Sequence, residues 1–460
     1  MNRAIACAVA LACAAAVPVR TASAQAVPDL DPQVVKLLGQ ISEERLATTL
    51  QKLESFGTRS SLSSTDLPDK GIGAARQWIF DQMKSYSPRL QVSYEAFHVA
   101  KQGRFTRDVD LRNVMAVLPG RSARQVYVSG HYDTTTVPGS QGSSNAAGVR
   151  REPVTAPDPS RPNDAPAPGV NDDGSGTALT MELARVFSQS GLEFDATLVF
   201  MCHAGEEQGL VGAFLHAQKA AAEHVRIDAV LNNDIVGNDR GGSGIVDGAT
   251  IRVYSEGPED SPSRELARFV RRWGARYVPS HKVRLMARPD RFGRGGDHTA
   301  YNENGFAAVG FRESRENFAR QHGPLDLFVG TSPAYLARNA RVDAAAAATL
   351  ALAPPAPVVD DERGQPTISR APSGYDANLR WQASPGAVAY RIFWREAWGP
   401  DWQHDMLVGN VTDVVLPNMQ IDDYVFGVAA VDAAGHESLV SPYVSPARRK
   451  PTILTLPGGR

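Results

Sequence analysis

The stretch CHAGEEQGL, residues 202–210, follows the apolar run ATLVF at residues 196–200 and contains two adjacent glutamates, Glu206 and Glu207. The run through Cys202 reads as a buried strand. Two like charges at the end of a buried strand repel and lose hydration. Either they decorate a turn, with Gly205 and Gly209 on either side, or a cation holds them. In an open α/β sheet, ligands bind beyond the carboxyl ends of strands, which is where this pair falls.

Working outward, VYVSG (126–130), DAVLNN (228–233) and AAVGF (307–311) read as further buried strands. Helical patterns at 175–188 and 211–223 separate the first three strands. Two more helices are predicted before them, over 34–56 and 74–86, and an Ala-rich one over 342–352. Strands alternating with helices imply an α/β fold with a mostly parallel sheet covered on both faces.

The acids and imidazoles cluster at the ends of these elements. GHYDT offers His131 and Asp133, VNDDGSGT offers Asp172 and Asp173, NNDIVG offers Asp234, and QHGPLD offers His322. Each alone reads as a turn; together they point to a metal site. Mixed imidazole and carboxylate donors suit zinc and other divalent transition ions. Two histidines and several carboxylates exceed what one tetrahedral ion needs, and suffice for two that share a carboxylate. Ser175 lies in DGSGT and not in a nucleophile elbow, and no glycine fingerprint for dinucleotides joins a strand to a helix.

The remaining chain sets the context. It has 460 residues, 42% hydrophobic and 21% charged, with a formal net charge of −2. Nothing in that balance favours nucleic acid or an anionic membrane. Residues 1–24 read as a signal peptide, with Arg3, an apolar stretch too short to cross a bilayer, and Ala22-Ser23-Ala24 before the cleavage point. The expected location is outside the cytoplasm, periplasmic or secreted, with no transmembrane segment. Of three cysteines, only Cys202 lies beyond that peptide, so the mature chain forms no internal disulfide. Residues 135–170 are rich in Pro, Gly, Ser and Asn and read as a rim or lid loop. Prolines 354, 355 and 357 mark a linker over 354–365. Residues 366–460 alternate with period two and no helix, which predicts a small all-β sandwich resembling fibronectin type III.

The ordered set GHYDT, NDDGSGT, GEEQGL, NNDIVG, GDH and QHGPLD resembles the zinc-dependent aminopeptidases of the M28 peptidase family, over roughly residues 46–353. The resemblance implies a mixed, mainly parallel sheet flanked by helices and two Zn2+ per chain. It implies His131 and Asp234 on one ion, Glu207 and His322 on the other, and Asp172 as the bridge. Glu206 is then the general base, and Asp133 holds the His131 ring. Asp173 shapes the turn after an unusual cis peptide. Arg294, Asp297 and His298 are candidate substrate contacts or structural pocket residues, with Gly296 where the family has a serine. The implied substrates are peptides that lose their N-terminal residue. Glutaminyl cyclase, dipeptidase or carboxypeptidase chemistry on the same scaffold is the alternative, and a non-catalytic receptor the remoter one. The C-terminal module is expected to bind a surface, a polysaccharide or the catalytic domain itself.

Overall fold

A computed structural model describes residues 30–136 and 163–444. The signal peptide read at 1–24 and the greater part of the 135–170 loop lie outside the described residues.

The chain runs α1 (Pro32–Leu38), α2 (Glu43–Ser55), α3 (Gly71–Tyr86), β1 (Gln91–Val99), β2 (Val109–Leu118), β3 (Gln125–His131), α4 (Gly174–Gln189), β4 (Thr197–His203), α5 (Val211–Ala222), β5 (Ile227–Asn233), β6 (Thr250–Ser255), α6 (Pro262–Tyr277), β7 (Lys282–Met286), α7 (Asp297–Glu303), β8 (Ala308–Glu313) and α8 (Pro333–Leu352). The single helix expected over 34–56 is two. Gly39 ends α1, and Ser42 starts α2 by accepting the Arg45 N–H on its hydroxyl. The leucine stripe survives the break, because Leu37, Leu38, Leu46, Leu50 and Leu53 are all buried.

Eight strands form one sheet in the order β1-β2-β4-β3-β5-β8-β6-β7. The centre is parallel, β4-β3-β5-β8, while β1 and β2 add antiparallel and β6 runs antiparallel to β8. The sheet is thus mixed and mainly parallel at its core, with helices packed against it. β3, β4 and β5 are buried almost throughout, which is why they read as continuous apolar runs. Helix α4 rests its first turn on β5. A Cβ at Gly176 would overlap the Asn233 carbonyl and the Asp173 carboxylate, so only glycine permits this approach. Helix α8 buries alanines 344 to 348 completely, and small side chains let its backbone lie close to its neighbours.

The C-terminal part contains β9 (Ile368–Ser369), β10 (Ala377–Arg380), β11 (Ala389–Glu396), β12 (His404–Val408), β13 (Asp413–Leu416), β14 (Tyr424–Val431) and β15 (Ser441–Pro442). They form two small antiparallel sheets, β13-β10-β9 and β12-β11-β14-β15, around one apolar cluster. The expected stripes meet there: Tyr390, Ile392 and Trp394 pair with Ala430, Val428 and Phe426. This part is tied to α6. Trp402 Nε1 donates to Glu265 at 2.9 Å, Arg268 Nε donates to the Pro400 carbonyl at 2.8 Å, and Arg395 pairs with Asp260. Among the described residues no helix is long and apolar enough to cross a membrane.

Candidate metal centre

Parallel register sets the positions of the site. His131 ends β3 and lies level with His203 at the end of β4. Beyond β4 the chain turns through Gly205 into Glu206 and Glu207; beyond β5 it places Asp234. Asp172 immediately precedes the first turn of α4, and His322 comes from the segment after β8. All five candidate ligands therefore meet at the carboxyl ends of the central strands.

Asp172 stands between the two histidines. Its Oδ1 is 3.5 Å from His131 Nε2 and its Oδ2 is 3.0 Å from His322 Nε2. His131 Nε2 also lies 3.8 Å from Asp234 Oδ1 and 4.0 Å from Glu206 Oε2. His322 Nε2 lies 3.4 Å from Glu207 Oε2. His131 Nε2, Asp172 Oδ2, Glu207 Oε1 and Asp234 Oδ1 are buried and lack a hydrogen-bond partner. Buried polar atoms are ordinarily paired, so orphans converging in one place are what a cation requires. Asp172, Glu207 and His322 form one group able to share an ion, and His131 and Asp234 belong to another. The nitrogen and carboxylate donors fit zinc.

Asp173 lies within reach of that second group but its oxygens are already engaged. It accepts the backbone N–H groups of Gly176 (2.8 Å), His131 (3.0 Å) and Ile235 (3.2 Å). It caps α4 and ties together the ends of β3 and β5. The peptide between Asp172 and Asp173 is cis.

Asp133 has two roles in the geometry. Its carbonyl, 3.0 Å from His131 Nδ1, orients the ring. Its carboxylate accepts the N–H groups of Glu206 (3.1 Å) and Glu207 (3.3 Å). Asp326, in the QHGPLD segment, accepts the Asp172 N–H at 2.8 Å and the Asn171 N–H at 3.0 Å. Leu210, Ile235 and His322, each beside the cleft or a candidate ligand, adopt left-handed backbone angles. Such strain in bulky residues concentrates at working sites.

Two arginines escaped the sequence reading. Fully buried Arg59 donates to the carbonyls of Tyr132 (2.7 Å), Leu53 (3.1 Å), Pro168 (2.6 Å) and Gly169 (2.7 Å). It fastens the exit of β3 to the segment that leads into Asp172. Fully buried Arg312 pairs with Asp234 Oδ2 and, at 2.9 Å, with Asp290. A charge at the end of the buried strand AAVGFR was the one signal that pointed to Arg312.

Arg294 lines the cleft beside His322 and Glu207, in a cavity of about 370 Å3. Asp297 is buried nearby with both oxygens unpartnered. His298 lies off the cleft lining: its Nε2 is 2.7 Å from the Pro289 carbonyl and its ring abuts Gly310, which suits the structural alternative.

The electrostatics follow the packing. Burial raises the Glu206 carboxyl to about 7, and the Asp234, Asp172 and Asp133 charges add to the rise against the pull of His131. Burial opposes protonation of His322, but Glu207 and Asp172 prevail and raise it to about 9. Burial also lifts the Asp234 carboxyl, yet the Arg312 and His131 charges hold it well below the usual carboxylate range.

The Peptidase family M28 description matches residues 113–347. A probable zinc metalloprotease of Pyricularia oryzae is 35% identical over 464 residues, covering 92% of this chain and 86% of that protein. The chain belongs to peptidase family M28. A second relative, a probable zinc metalloprotease of Pyrenophora teres f. teres, is 32% identical over 89% of this chain and 86% of its own. Zinc is the metal this M28 membership implies. Among solved structures, the LapA aminopeptidase of Legionella pneumophila superposes with a TM-score of 0.52 at 20% identity, covering 72% of this chain and 77% of its own. A Porphyromonas gingivalis glutaminyl cyclase reaches 0.50 at 16% identity, covering 66% and 97%. At these identities the likeness is one of fold.

Proposed function

We propose that this M28 peptidase is an exported aminopeptidase that removes the N-terminal residue of peptides at a site for two zinc ions. The observation that carries the reading is the Asp172 carboxylate, which offers one oxygen toward each histidine. His131 and Asp234 would hold one ion, Glu207 and His322 the other, with Asp172 shared. Bound there, the ions supply Lewis acidity and make a water nucleophilic near neutral pH.

The chain's own residues do the rest. Glu206 lies beside these ligands, its Oε2 4.0 Å from His131 Nε2, on a backbone held by Asp133, which places its carboxylate to act as a general base. It takes a proton from the attacking water and returns it to the departing amine nitrogen. Asp133 fixes both the His131 ring and the Glu206–Glu207 turn. Asp326 and Arg59 fix the approach to Asp172. Residues 1–24 serve as the export signal, 25–353 as the peptidase domain, 354–365 as the linker and 366–460 as a fibronectin type III-like module.

Glu206→Gln tests the assignment. Zinc content is expected to stay at the wild-type level while amino-acid release falls by about 10²–10⁴-fold. Unchanged turnover at equal zinc content would refute the base. The likeness in fold to a glutaminyl cyclase keeps one rival. Assaying glutaminyl peptides for ammonia against glutamine release separates the two.

A further inference from the structure

We propose that the arginine wall of the cleft receives a substrate carboxylate, so that the preferred substrates are peptides carrying a carboxylate shortly after the N-terminal residue. The proposal rests on the aminopeptidase reading and adds a substrate class to it.

The wall is built from Arg104, Arg291 and Arg294, which line the same cavity as Glu206, Glu207 and His322. Arg104 comes from the turn between β1 and β2. It is exposed, and its Nη1 donates to a backbone carbonyl, that of Glu207, at 2.7 Å. Arg291 and Arg294 both turn to one oxygen of Glu316, at 2.8 and 3.3 Å, while Arg252 takes the other at 2.6 Å. Arg291 also shares Asp290 with Arg312.

Charge does not close within this network. Four guanidiniums, those of Arg252, Arg291, Arg294 and Arg312, face Glu316 and Asp290, and Arg312 additionally faces Asp234. With Asp234 serving at the metal site, Asp172, Glu206, Glu207 and Asp234 would match the charge of two zinc ions, and the guanidiniums would keep two carboxylates among four. The loaded cleft would therefore be close to neutral at the metal-holding residues and cationic where Arg291 and Arg294 line it. An arginine with an unused face in a narrow cleft binds carboxylate through paired N–H donors, a geometry a lysine cannot offer. The carboxylate has two possible sources, the C-terminus of a di- or tripeptide and an Asp or Glu side chain downstream of the cleaved bond.

Zinc-loaded enzyme is assayed with two matched pairs: Leu-Gly-Gly against its C-terminal amide, and Leu-Gly-Glu-amide against Leu-Gly-Gln-amide. The first pair reads the terminal carboxylate and the second the side chain. In at least one pair the acid is expected to show a KM about tenfold below its neutral twin at low salt, with the gap closing as ionic strength rises. Arg294→Gln is expected to bring that ratio close to one, and Arg294→Lys to restore only part of it. Arg104→Gln provides a second reading at a wall residue whose bond is to a backbone carbonyl, so that no carboxylate contact is lost. Calorimetry with the same peptides on the Glu206→Gln enzyme reports the preference as binding alone. Ratios near one in both pairs, with all four peptides cleaved, overturn the carboxylate wall and leave the aminopeptidase intact. A wild-type ratio that persists in both arginine variants overturns it equally. Failure to release leucine from every peptide and from leucine anilide sinks the underlying reading, and the proposal with it.

Discussion

Replacing Arg59 by Met should loosen the candidate metal site from behind. Arg59 makes four hydrogen bonds to carbonyls of Leu53, Tyr132, Pro168 and Gly169. Charge-assisted bonds are each worth roughly 1.5–3 kcal/mol net, so a simple sum gives about 6–12 kcal/mol. The sum overstates the loss, since Met also removes a buried charge whose desolvation costs several kcal/mol. A net destabilisation of about 3–5 kcal/mol follows, because four buried carbonyls left unpaired at about 1–3 kcal/mol each outweigh the desolvation that Met avoids. For a chain of this length that is a fall in Tm of roughly 4–6 °C. Arg59→Lys should recover little, because a single ammonium cannot span four carbonyls on three segments. The same substitution frees the segment leading to Asp172, so zinc affinity should drop about 10–100-fold. Thermal melts of the zinc-loaded proteins and competition with a chelating indicator measure the two effects. An Arg59→Met enzyme with wild-type Tm and wild-type zinc affinity would refute the reasoning.

Three further outcomes are expected. Asp343 is buried, accepts from Asn233 at 2.7 Å through one oxygen and leaves the other unpartnered; burial raises its carboxyl to about 8 from 3.8. The folded state then holds a proton the unfolded state gives up, so this group's contribution to stability declines as pH climbs from about 4 to about 8. Asp343→Asn removes that slope, and its Tm relative to wild type should rise between about pH 5 and about pH 8; a flat difference contradicts the protonated carboxyl. Gly176→Ala drives a methyl into Asn233 and Asp173, costing at least about 1–3 kcal/mol and displacing both His131 and Asp234, which elemental analysis would register as lost zinc. Truncation after Ala353 uncovers Glu265, Arg268 and Arg272, and should give insoluble or lower-melting protein; an unchanged Tm would show that the C-terminal sheets are dispensable.

What the sequence disclosed tracks how locally each feature is written. β3, β4, β5 and β8 stood out because strands buried on both faces carry unbroken apolar runs. β1 hid because its residues are almost all exposed or half-buried, and β6 and β7 hid because Arg252 and Arg284 interrupt short strands. Helix α6 is missing from the sequence reading because arginines interrupt its apolar residues. Its arginines face the C-terminal sheets, where Glu437 and the Phe393 ring meet Arg272. The candidate ligands were legible because metal-binding residue types at strand ends are uncommon and occurred in order. Asp326 was caught as part of the His322 motif. Arg59 was not, since it acts across 73 to 110 positions on carbonyls that every residue possesses.

The three amides gathered by Asp173 carry a consequence for how the enzyme is loaded. A receptacle whose walls are pinned by main-chain N–H groups does not wait for its guest to take shape. Stripping the ions with a chelator should leave a folded, refillable protein, unlike small zinc modules that exist only around their metal. Exchanging one divalent ion for another would then retune reactivity without redrawing the architecture.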